Sequence, residues 1–454
     1  MKIIIAGDNL TAYAIANALD SNQYDITLIG NSASNIKQIE ESMDIQTVFG
    51  DYKSIETLEE AECQNADIII AATQVPEIDI LISLLATNFF QTPLTITILQ
   101  GSLYDHRKHL LQNSNKHCQH LWINPTNLVT NHISNLIQYP NCQELISVYL
   151  DLCIIRVQVE KHHITHQKKS HEISELTKSI NLISVIRKGT TLDNDVSLQT
   201  GDQLIIACSK KNLDQTLAIL TEKKQIKRII IAGLSAISKA LINKLPNSYN
   251  IKIIESNIEK AENFAQTDSN ITILEGDIND EELLITEKID QTDAFFSLSN
   301  DDEDNLVSAL QAKRHGVCQI ASLVHKPEIS PIIEENQIHC IDPHNLIIDQ
   351  IITHVHQDLI VSKRTLHKNT GEIICIQIPK SMNNTTIKHL KLPKHAKIIE
   401  LFRNNNPEKY DLSSKLKTND TLAIYSYKAS DLSAIIKQTK PNRSLLDKLF
   451  FRGQ

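Results

Sequence analysis

Several features are scarce or absent in this chain, and some of these shortages exclude a class of protein. It contains 11 glycines and one tryptophan among 454 residues, so glycine falls well below its usual share of about 7%. No apolar run approaches the roughly 18 residues that a membrane-spanning helix requires. The formal net charge is −9, whereas nucleic-acid binders carry basic surfaces, so we expect no nucleic-acid partner. The eight cysteines include no Cys-x-x-Cys pair, so we predict that they are reduced thiols.

The few glycines recur in register. Gly7 lies in IIIAGDNLTA and Gly233 in IIIAGLSAIS, and they are 233 − 7 = 226 residues apart. Gly50 and Gly276 keep the same separation, 276 − 50 = 226. Four of only 11 glycines in one register indicate an internal repeat. The sequence therefore predicts two copies of one unit of nucleotide-binding type.

Each copy begins with a doubly wound α/β pattern. Strand and helix signals alternate as βαβαβαβαβ over residues 1–100 and again over 227–324, which is typical of a Rossmann-like parallel sheet. A stretch with three strand signals follows each copy and predicts a small α+β domain. In these stretches Arg187 matches Arg403 at an offset of 216, and Asp202 matches Asp420 at an offset of 218.

The repeat predicts four domains, which we name N1, C1, N2 and C2. N1 spans residues 1–138, C1 139–222, N2 226–360 and C2 361–440, and a tail follows at 441–454. Segments of this length are of ordinary domain size. We expect linkers near Pro140, Lys223–Gln225 and Lys363–Asn369.

The loop after the first strand is a reduced form of the dinucleotide fingerprint G-x-G-x-x-G. The first glycine of that motif makes the turn after the strand, and the second lets the backbone approach a pyrophosphate. Both copies keep only the first glycine. Asn9 is expected to narrow the phosphate cradle of N1, and Asp8 to add negative charge near it. The candidate binding residues are Gly7, Asp8, Asn9, Leu10 and Thr11 in N1 and Gly233, Leu234, Ser235, Ala236 and Ile237 in N2.

The end of the second strand distinguishes the two copies. An acidic residue at this place normally binds the ribose hydroxyls. N2 has this acid in Glu255, 22 residues after Gly233. N1 has Gly30 instead, so we expect no carboxylate there, and Asn31 substitutes only in part. We therefore predict that N2 is the better nucleotide site and that N1 is weakened.

Polar residues after later strands add candidates. Ser299 and Asn300 open the segment SNDDEDN at the carboxyl end of a strand, where open α/β sheets bind ligands. Their N1 equivalents are Thr73 and Gln74. The acidity of SNDDEDN is equally explained by the negative charge that a helix N-terminus favours. Asp277 is a further candidate, although capping of the next helix explains it as well.

No catalytic or metal-binding constellation stands out. The chain has no Walker loop, nucleophile elbow or Ser-His-Asp order. With 18 histidines, clusters arise easily, and no cysteine or carboxylate completes a clear ligand set around them. We therefore predict neither an enzyme nor a metal site. The clusters are His117, Cys118 and His120; His162, His163 and His166; and His354 and His356.

Several segments together match one known family. They are LIQYP at Leu136–Pro140, IRKG and TGDQL in C1, GDINDEELL at Gly276–Leu284, SNDDEDN at Ser299–Asn305 and SALQAKRHG at Ser308–Gly316. Through them the chain resembles the RCK family, the regulators of potassium conductance, and within it the peripheral nucleotide-binding subunits of bacterial Trk potassium-uptake systems. The likeness covers nearly the whole chain. It implies two RCK units, each an N-lobe followed by a C-lobe.

The resemblance also implies where a cofactor binds. Family members hold adenine nucleotides or NAD(H) at the loop, at the ribose acid and at the serine–asparagine pair that were identified above in N2. They often carry phosphate-binding arginines on strand five, but here N1 has Ile98 and Gln100, and N2 offers His325 and Lys326 nearby. The implied cofactor is NAD(H) or ATP/ADP, bound in N2 more readily than in N1.

The function implied by the resemblance is regulatory. A nucleotide would bias the chain between two arrangements, and the change would gate an integral membrane potassium-transport subunit of the TrkH/TrkG type. The family further implies a homo-oligomer, a tetramer, at the cytoplasmic face of the bacterial inner membrane. In the tail, SLLDKLFFRGQ is a candidate partner contact, although a helix packing on C2 explains it as well.

Two alternative functions stay open at this point. One is an NAD-dependent oxidoreductase with duplicated Rossmann halves, against which the short C-lobes and the lack of an acid–base residue argue. The other is a structural transporter subunit without a ligand response.

Overall fold

The structure, a computed structural model, divides into two compact units. It describes residues 1–20, 24–99, 118–140, 142–160, 168–176, 180–192, 195–221, 225–265, 271–355, 360–366, 371–390, 392–428 and 435. The first unit comprises Met1–Ser134 and Ile229–Val355, and the second comprises Asn135–Arg228 and the described residues after Val355. Each unit therefore joins two equivalent segments of the repeat. The predicted tail at 441–454 lies outside the described residues.

N1 is a parallel sheet flanked by helices. Its elements are β1 (Lys2–Ala6), α1 (Leu10–Asp20), β2 (Asp25–Gly30), α2 (Ala33–Ser42), β3 (Gln46–Phe49), α3 (Ile55–Glu60), β4 (Ile68–Ala71), α4 (Pro76–Asn88), β5 (Leu94–Ile98), β6 (Gln119–Ile123) and α5 (Pro125–Gln138). The strand order is β3-β2-β1-β4-β5-β6, the Rossmann order. Ile3, Ile4 and Ile5 of β1 are fully buried, as expected for a strand covered on both faces.

C1 is built on an antiparallel sheet. Its elements are β7 (Glu144–Tyr149), β8 (Leu152–Gln158), α6 (Ser170–Leu176), β9 (Asn181–Arg187), β10 (Thr190–Leu192), β11 (Gln203–Ser209) and α7 (Leu213–Leu220). The strand order is β10-β9-β11-β8-β7. The three strands that the sequence predicts here are β8, β9 and β11, and they form the centre of this sheet.

N2 repeats the architecture of N1. Its elements are β12 (Arg228–Ala232), α8 (Ala236–Lys244), β13 (Asn250–Glu255), α9 (Ile258–Ala265), β14 (Thr272–Glu275), α10 (Glu281–Thr286), β15 (Ala294–Ser297), α11 (Asp302–Arg314), β16 (Gln319–Leu323), α12 (Ser330–Glu335), β17 (His339–Ile341) and α13 (Pro343–Val355). The order β14-β13-β12-β15-β16-β17 is that of the first sheet. The predicted doubly wound α/β class is therefore confirmed in both copies.

C2 repeats C1, down to one ion pair. Its strands are β18 (Ile360–Thr365), β19 (Glu372–Gln377), β20 (Ala396–Arg403), β21 (Asn406–Glu408) and β22 (Thr421–Ser426), in the order β18-β19-β22-β20-β21. The Arg187 guanidinium donates to both carboxylate oxygens of Asp202, each at 2.7 Å. Arg403 makes the same two-pronged contact with Asp420 at 3.1 and 2.8 Å. The residues matched in the sequence are thus matched in structure.

The structure differs from the sequence-based expectations at the edges of its sheets. A sixth strand, β6 or β17, extends each parallel sheet beyond the five predicted. β17 has only three residues, and β6 is only partly buried, so neither carries a strong apolar run. The linker expected from Lys363 is also wrong at its start. Lys363 lies in β18, where its buried ammonium pairs with Glu372 at 2.9 Å.

Helix exchange joins N1 and N2 within the first unit. Helix α13 follows the N2 sheet, but its Ile347, Ile351 and Ile352 pack into the N1 core around α1. In the opposite direction, His132 of α5 contacts His339 of β17, with 2.7 Å between their Nε2 atoms. Helix α13 thus packs in the core of the other lobe, and α5 makes a side-chain contact with N2. The carboxyl ends of the two sheets are brought near one cavity by this arrangement.

Candidate functional site

The two glycine loops line one cavity of about 160 Å³. N1 and N2 both contribute the start of their first helix and the ends of strands to its wall. The starts of α5 and α13 complete it. The lining residues are Thr11, Ala72, Gln74, Ile98, Pro125, Thr126, Val129, Ser235, Ala236, Ile237, Asn300, Leu323, His325, Pro343, His344 and Ile347. The structure thus brings Thr11 and Gln74 of the predicted N1 set together with Ser235, Ala236, Ile237, Asn300 and His325 of the predicted N2 set.

The N2 loop is a tight turn with an open helix N-terminus. Gly233 has φ +95°, and a Cβ on it would lie 2.7 Å from the Ser299 Cα, so only glycine fits. Ser235 caps α8, because its Oγ accepts the Ser238 N–H at 3.3 Å. Within the described part of the chain, the N–H groups of Ala236 and Ile237 have no partner. Such N–H groups at a helix start bind anions such as phosphate.

Glu255 lies at the end of β13, beside this loop. It is 8% exposed. Its Oε2 accepts the Leu234 N–H at 2.9 Å, and its Oε1 accepts the Asn257 N–H at 2.8 Å. A carboxylate oxygen can accept two hydrogen bonds, so each oxygen keeps one acceptor position as far as the described residues are concerned. The carboxylate is therefore held in one orientation with acceptor capacity left for two hydroxyls.

The N1 loop fills its own helix N-terminus. The Asn9 Oδ1 accepts the N–H groups of Thr11 at 3.0 Å and Ala12 at 3.1 Å, and its Nδ2 donates to the Ala72 carbonyl at 2.6 Å. The sequence predicts that Asn9 narrows the cradle. The structure goes further, because the amide oxygen of Asn9 occupies the N–H groups that a phosphate would use. Leu10, the first residue of α1, is exposed.

Asp8 does not lie where the sequence predicts. Its carboxylate turns away from the helix start to the end of β2, where Oδ2 accepts the N–H groups of Asn31 at 3.0 Å and Ser32 at 2.7 Å. Tyr52 donates its hydroxyl to Oδ1 at 2.8 Å. Burial and this hydrogen bond raise the pKa of Tyr52, which stays a donor. N1 therefore has a carboxylate near its second strand after all, supplied by the loop and largely satisfied by the protein.

The loops after β4 and β15 are held by different side chains. In N2, Asn305 accepts the Ser299 N–H at 2.9 Å and donates to the carbonyls of Ser299 and Leu323 at 3.0 and 3.1 Å. In N1 the equivalent residue is Asp79, since 305 − 79 = 226. Asp79 Oδ1 accepts from the N–H and the hydroxyl of Thr73, each at 2.8 Å. Its buried Oδ2 has no hydrogen-bond partner in the described residues.

Burial sets the ionisation of Asp79. The side chain is fully buried, and this desolvation raises its pKa from the ordinary value of 3.8 to about 6. Asn305 and Asp79 were not predicted as site residues. Asn305 ends the SNDDEDN segment. The 226-residue register pairs it with Asp79 and is the sequence signal that could have identified both residues.

The acidic residues near the N2 loop have mainly structural partners. Asp301 is the N-cap of α11 and accepts the Asp304 N–H at 3.0 Å, in agreement with the alternative reading of SNDDEDN. Asp277 does not cap α10, because the N-cap is Asp280. Asp277 instead accepts the Asn279 N–H at 2.9 Å in the preceding turn and stays exposed. The carboxylate of Asp277 therefore has a local role in this structure.

The histidines fall into several separate settings. His325 lines the cavity and is anchored by Asp302, with 3.0 Å between Nδ1 and Oδ1. His354 bonds to the Gln350 carbonyl on its own helix, and His120 to the Thr97 hydroxyl. His117, His162, His163, His166 and His356 lie outside the described residues, as does Gln100. Among the described residues, no three histidines, cysteines or acids group as possible metal ligands.

The lengths and hydropathies of the helices bear on membrane crossing. None of those in the described ranges combines the length and the apolar character needed to cross a bilayer. All eight cysteines, each of which lies in a described range, are unpaired.

Comparison with known proteins identifies the family. Residues 3–114 and 229–342 each match the model of the TrkA-N domain. The chain is 27% identical over 457 residues to the Trk system potassium uptake protein TrkA of Haemophilus influenzae, with 97% of this chain and 99% of that protein covered.

Solved structures share the fold. The GsuK channel bound to NAD superposes with a TM-score of 0.62 at 15% identity, over 96% of this chain and 78% of that chain. GsuK bound to ADP superposes with a TM-score of 0.50 at 12% identity, over 79% and 69%. Two matched domains in the register of the repeat, and a likeness along almost the full length, establish that this chain belongs to the TrkA family of Trk potassium-uptake proteins.

Proposed function

We propose that this chain is a non-enzymatic regulatory subunit of a Trk-type potassium-uptake system, and that it binds an adenine nucleotide or NAD(H) in N2. The observation that carries the proposal is the open helix N-terminus of α8 beside the oriented carboxylate of Glu255. The name of the Haemophilus influenzae relative supports the transport role, and the NAD and ADP bound to GsuK support the ligand class.

The preference for N2 follows from the hydrogen bonds of the two loops. In N1 the phosphate-binding N–H groups and most of the Asp8 acceptor positions are already taken by protein groups. A ligand would have to break these bonds, and each intramolecular bond lost offsets about 0.5–1.5 kcal/mol of binding. N2 requires no such exchange at Ala236 and Ile237.

Calorimetric titration of the purified chain with ADP and with NAD tests this proposal. We expect one equivalent of ligand per chain. Two equal sites per chain would contradict the preference for N2. Absence of binding of both ligands, together with unimpaired potassium uptake, would favour the structural subunit without ligand response.

We infer further that the chain acts by docking on an integral potassium-transport subunit of the TrkH/TrkG type at the cytoplasmic face of the inner membrane. Its net charge of −9 disfavours direct adhesion to anionic lipid, so the contact would be between proteins. Deletion of the gene should impair growth at low external potassium. Removal of the transport subunit alone should release this chain into the soluble fraction, and retention on the membrane would contradict docking.

A tetrameric assembly completes the proposal. Four copies would place eight N-lobes in one ring, which fits a device that converts ligand binding into a change of shape. Light scattering at micromolar concentration should report four chains per particle. A single chain per particle would contradict the ring.

A further inference from the structure

The loop that follows β4 in N1 forms part of the cavity wall and is held by one buried carboxylate. Gln74 of this loop lines the cavity, with its Nε2 3.4 Å from the Thr11 hydroxyl. Its backbone has φ +67°, a left-handed conformation that is unfavourable for a residue with a side chain. Asp79, in the first turn of α4, accepts the N–H and the hydroxyl of Thr73, each at 2.8 Å. These bonds hold the loop in its strained form.

N2 shows which chemistry this position requires. Asn305, the equivalent of Asp79, accepts the Ser299 N–H through its Oδ1 at 2.9 Å. Its Nδ2 donates to the carbonyls of Ser299 and Leu323, at 3.0 and 3.1 Å. A carbonyl oxygen only accepts hydrogen bonds, so the atom that faces these two carbonyls must be a donor. One half of the side chain is therefore an acceptor position, and the other half is a donor position.

In N1 an oxygen takes the donor position. Thr73 is the equivalent of Ser299, since 299 − 73 = 226, and the strand register makes Ile98 the equivalent of Leu323. The Oδ2 of Asp79 is buried and has no hydrogen-bond partner among the residues that the structure describes. An ionised carboxylate oxygen cannot donate to a carbonyl, whereas a protonated one can. A proton on Oδ2 would therefore restore the donor that the amide supplies in N2.

We propose that Asp79 is a proton-binding site that makes the cavity wall of N1 respond to pH. In the closed loop, Oδ2 carries a proton and donates it to the carbonyls of Thr73 and Ile98. As pH rises, this proton is released to water, and the buried carboxylate is left without a donor toward those carbonyls. The loop then opens and withdraws Gln74 from the cavity. N1, whose glycine loop is filled by its own side chains, thus binds a proton, and this inference does not depend on nucleotide binding in N2.

The groups around Asp79 favour its neutral form. Helix α4 packs on β4 and β5, and neither strand contains an ionisable residue. Tyr52, from the loop after β3, has a raised pKa and stays neutral, and its hydroxyl bonds to the carboxylate of Asp8. His120 of β6 lies on the same side of the sheet, and burial lowers its pKa to about 4. Glu77 of α4 is exposed, and no described cation pairs with Asp79.

The direction and the size of the response follow from burial. Desolvation raises the pKa of Asp79 from 3.8 to about 6 in the closed loop, whereas an open loop exposes the carboxyl group to water. The closed loop therefore binds the proton more tightly, and its stability falls as pH rises from about 4 to about 6. The two pKa values limit the total increase in opening to roughly a hundredfold, of which roughly tenfold falls between pH 5 and pH 7.5.

The test is amide hydrogen exchange of the full chain, without nucleotide, at pH 5 and pH 7.5. Protection of residues 72–78 is divided by that of the equivalent N2 residues 298–304, which cancels the effect of pH on the intrinsic exchange rate. We expect this ratio to fall roughly tenfold from pH 5 to pH 7.5 in the wild type and to stay constant in Asp79→Asn. The control is Ser83→Ala, which removes the buried hydroxyl that bonds to the Asp79 carbonyl at 2.7 Å. It leaves the carboxyl group in place and should keep the pH dependence.

The reciprocal variant Asn305→Asp moves the device to the other copy. It should give residues 298–304 the pH dependence that residues 72–78 have in the wild type, so that both loops open as pH rises. This variant also keeps the inference testable if Asp79→Asn fails to fold.

Three outcomes would overturn the inference. One is the same pH dependence in the wild type and in Asp79→Asn, and another is an N2 loop that gains none in Asn305→Asp. The third is closure of the N1 loop at pH 7.5 by KCl but not by choline chloride of equal ionic strength, which would assign the carboxylate to a metal cation. Since no nucleotide is present, a chain that fails to bind ADP or NAD leaves this inference standing and contradicts only the proposed function.

Discussion

N1 and N2 share one backbone architecture and differ in what fills their ligand-facing loops. Among the residues that the structure describes, the start of α8 in N2 is open, and the carboxylate of Glu255 keeps two free acceptor positions. In N1 the side chains of Asn9 and Asp8 bond to the corresponding backbone groups. The residues at two or three equivalent positions therefore decide whether these backbone groups stay open or bond to side chains of the protein.

The carboxylate near the end of the second strand comes from a different position in each copy. In N2 the acid lies at the end of the second strand, and the loop carries Leu234. In N1 the loop carries Asp8, and the second strand ends in Gly30. A Cβ on Gly30 would lie 2.9 Å from the Asp8 Cβ, so the Asp8 side chain uses the space that a larger residue would need. A negative charge at this junction is thus kept in both copies, although the residue that supplies it differs.

The largest effect is expected at Asp79. Its pKa is raised to about 6, so the folded chain binds the proton more tightly than the unfolded chain, and stability falls as pH rises from about 4 to 6. Asp79→Asn should therefore stabilise the chain at pH 7 by up to about 3 kcal/mol and leave it unchanged near pH 4. Urea unfolding from pH 4 to 8 measures this. Asn305→Asp is the reciprocal variant, and it should destabilise the chain at pH 7.

A second prediction compares the two carboxylates. Glu255→Ala removes the proposed ribose contact and should weaken nucleotide binding roughly tenfold to a hundredfold, which is about 1.5–3 kcal/mol. Asp8→Ala should leave the affinity unchanged and lower stability instead, because the N–H groups of Asn31 and Ser32 lose their acceptor. Calorimetry and thermal unfolding of both variants provide the measurement. Equal losses of affinity would mean that N1 also binds ligand.

A third prediction closes N2 with the side chain that fills N1. In Ser235→Asn, the new amide should accept from Ile237 and Ser238 as Asn9 does from Thr11 and Ala12. Nucleotide affinity should fall by roughly tenfold, because the ligand must displace one or two hydrogen bonds. Ser235→Ala is the matched control, since it removes the cap without filling the loop. If both variants bind equally well, occupancy of these N–H groups does not decide affinity.

The smallest effect is expected from opening N1. The triple variant Asp8→Leu, Asn9→Ser and Gly30→Glu gives N1 the corresponding N2 side chains. It should raise the stoichiometry of nucleotide from one to two per chain, with a second site weaker than the first because the other residues of N1 are unchanged. Titration at millimolar ligand detects such a site. A stoichiometry that stays at one, in a variant that still unfolds cooperatively, would show that other residues keep N1 closed.

Much of the fold was readable from the sequence because local patterns encode its elements. Buried strands such as Lys2–Ala6 and Arg228–Ala232 appear as apolar runs that end in a glycine turn. The 226-residue register identified the duplication, and it also paired Asp79 with Asn305. The short edge strand His339–Ile341 was missed, since three residues do not make a periodic signal.

The amino-acid sequence by itself determined the duplication, the two sheet types and the loss of the ribose acid from the second strand of N1. Only the tertiary structure decided that the Asp8 carboxylate bonds to the end of the second strand of N1, that the Asn9 amide bonds to the start of α1, and that His344 lines a cavity together with residues of both lobes. The reason is that a hydrogen bond between Asp8 and Ser32, or the approach of α13 to another lobe, joins residues that are distant along the chain. Such contacts depend on the direction of a side chain or on the packing of a helix against another lobe. Neither of these leaves a local pattern in the sequence.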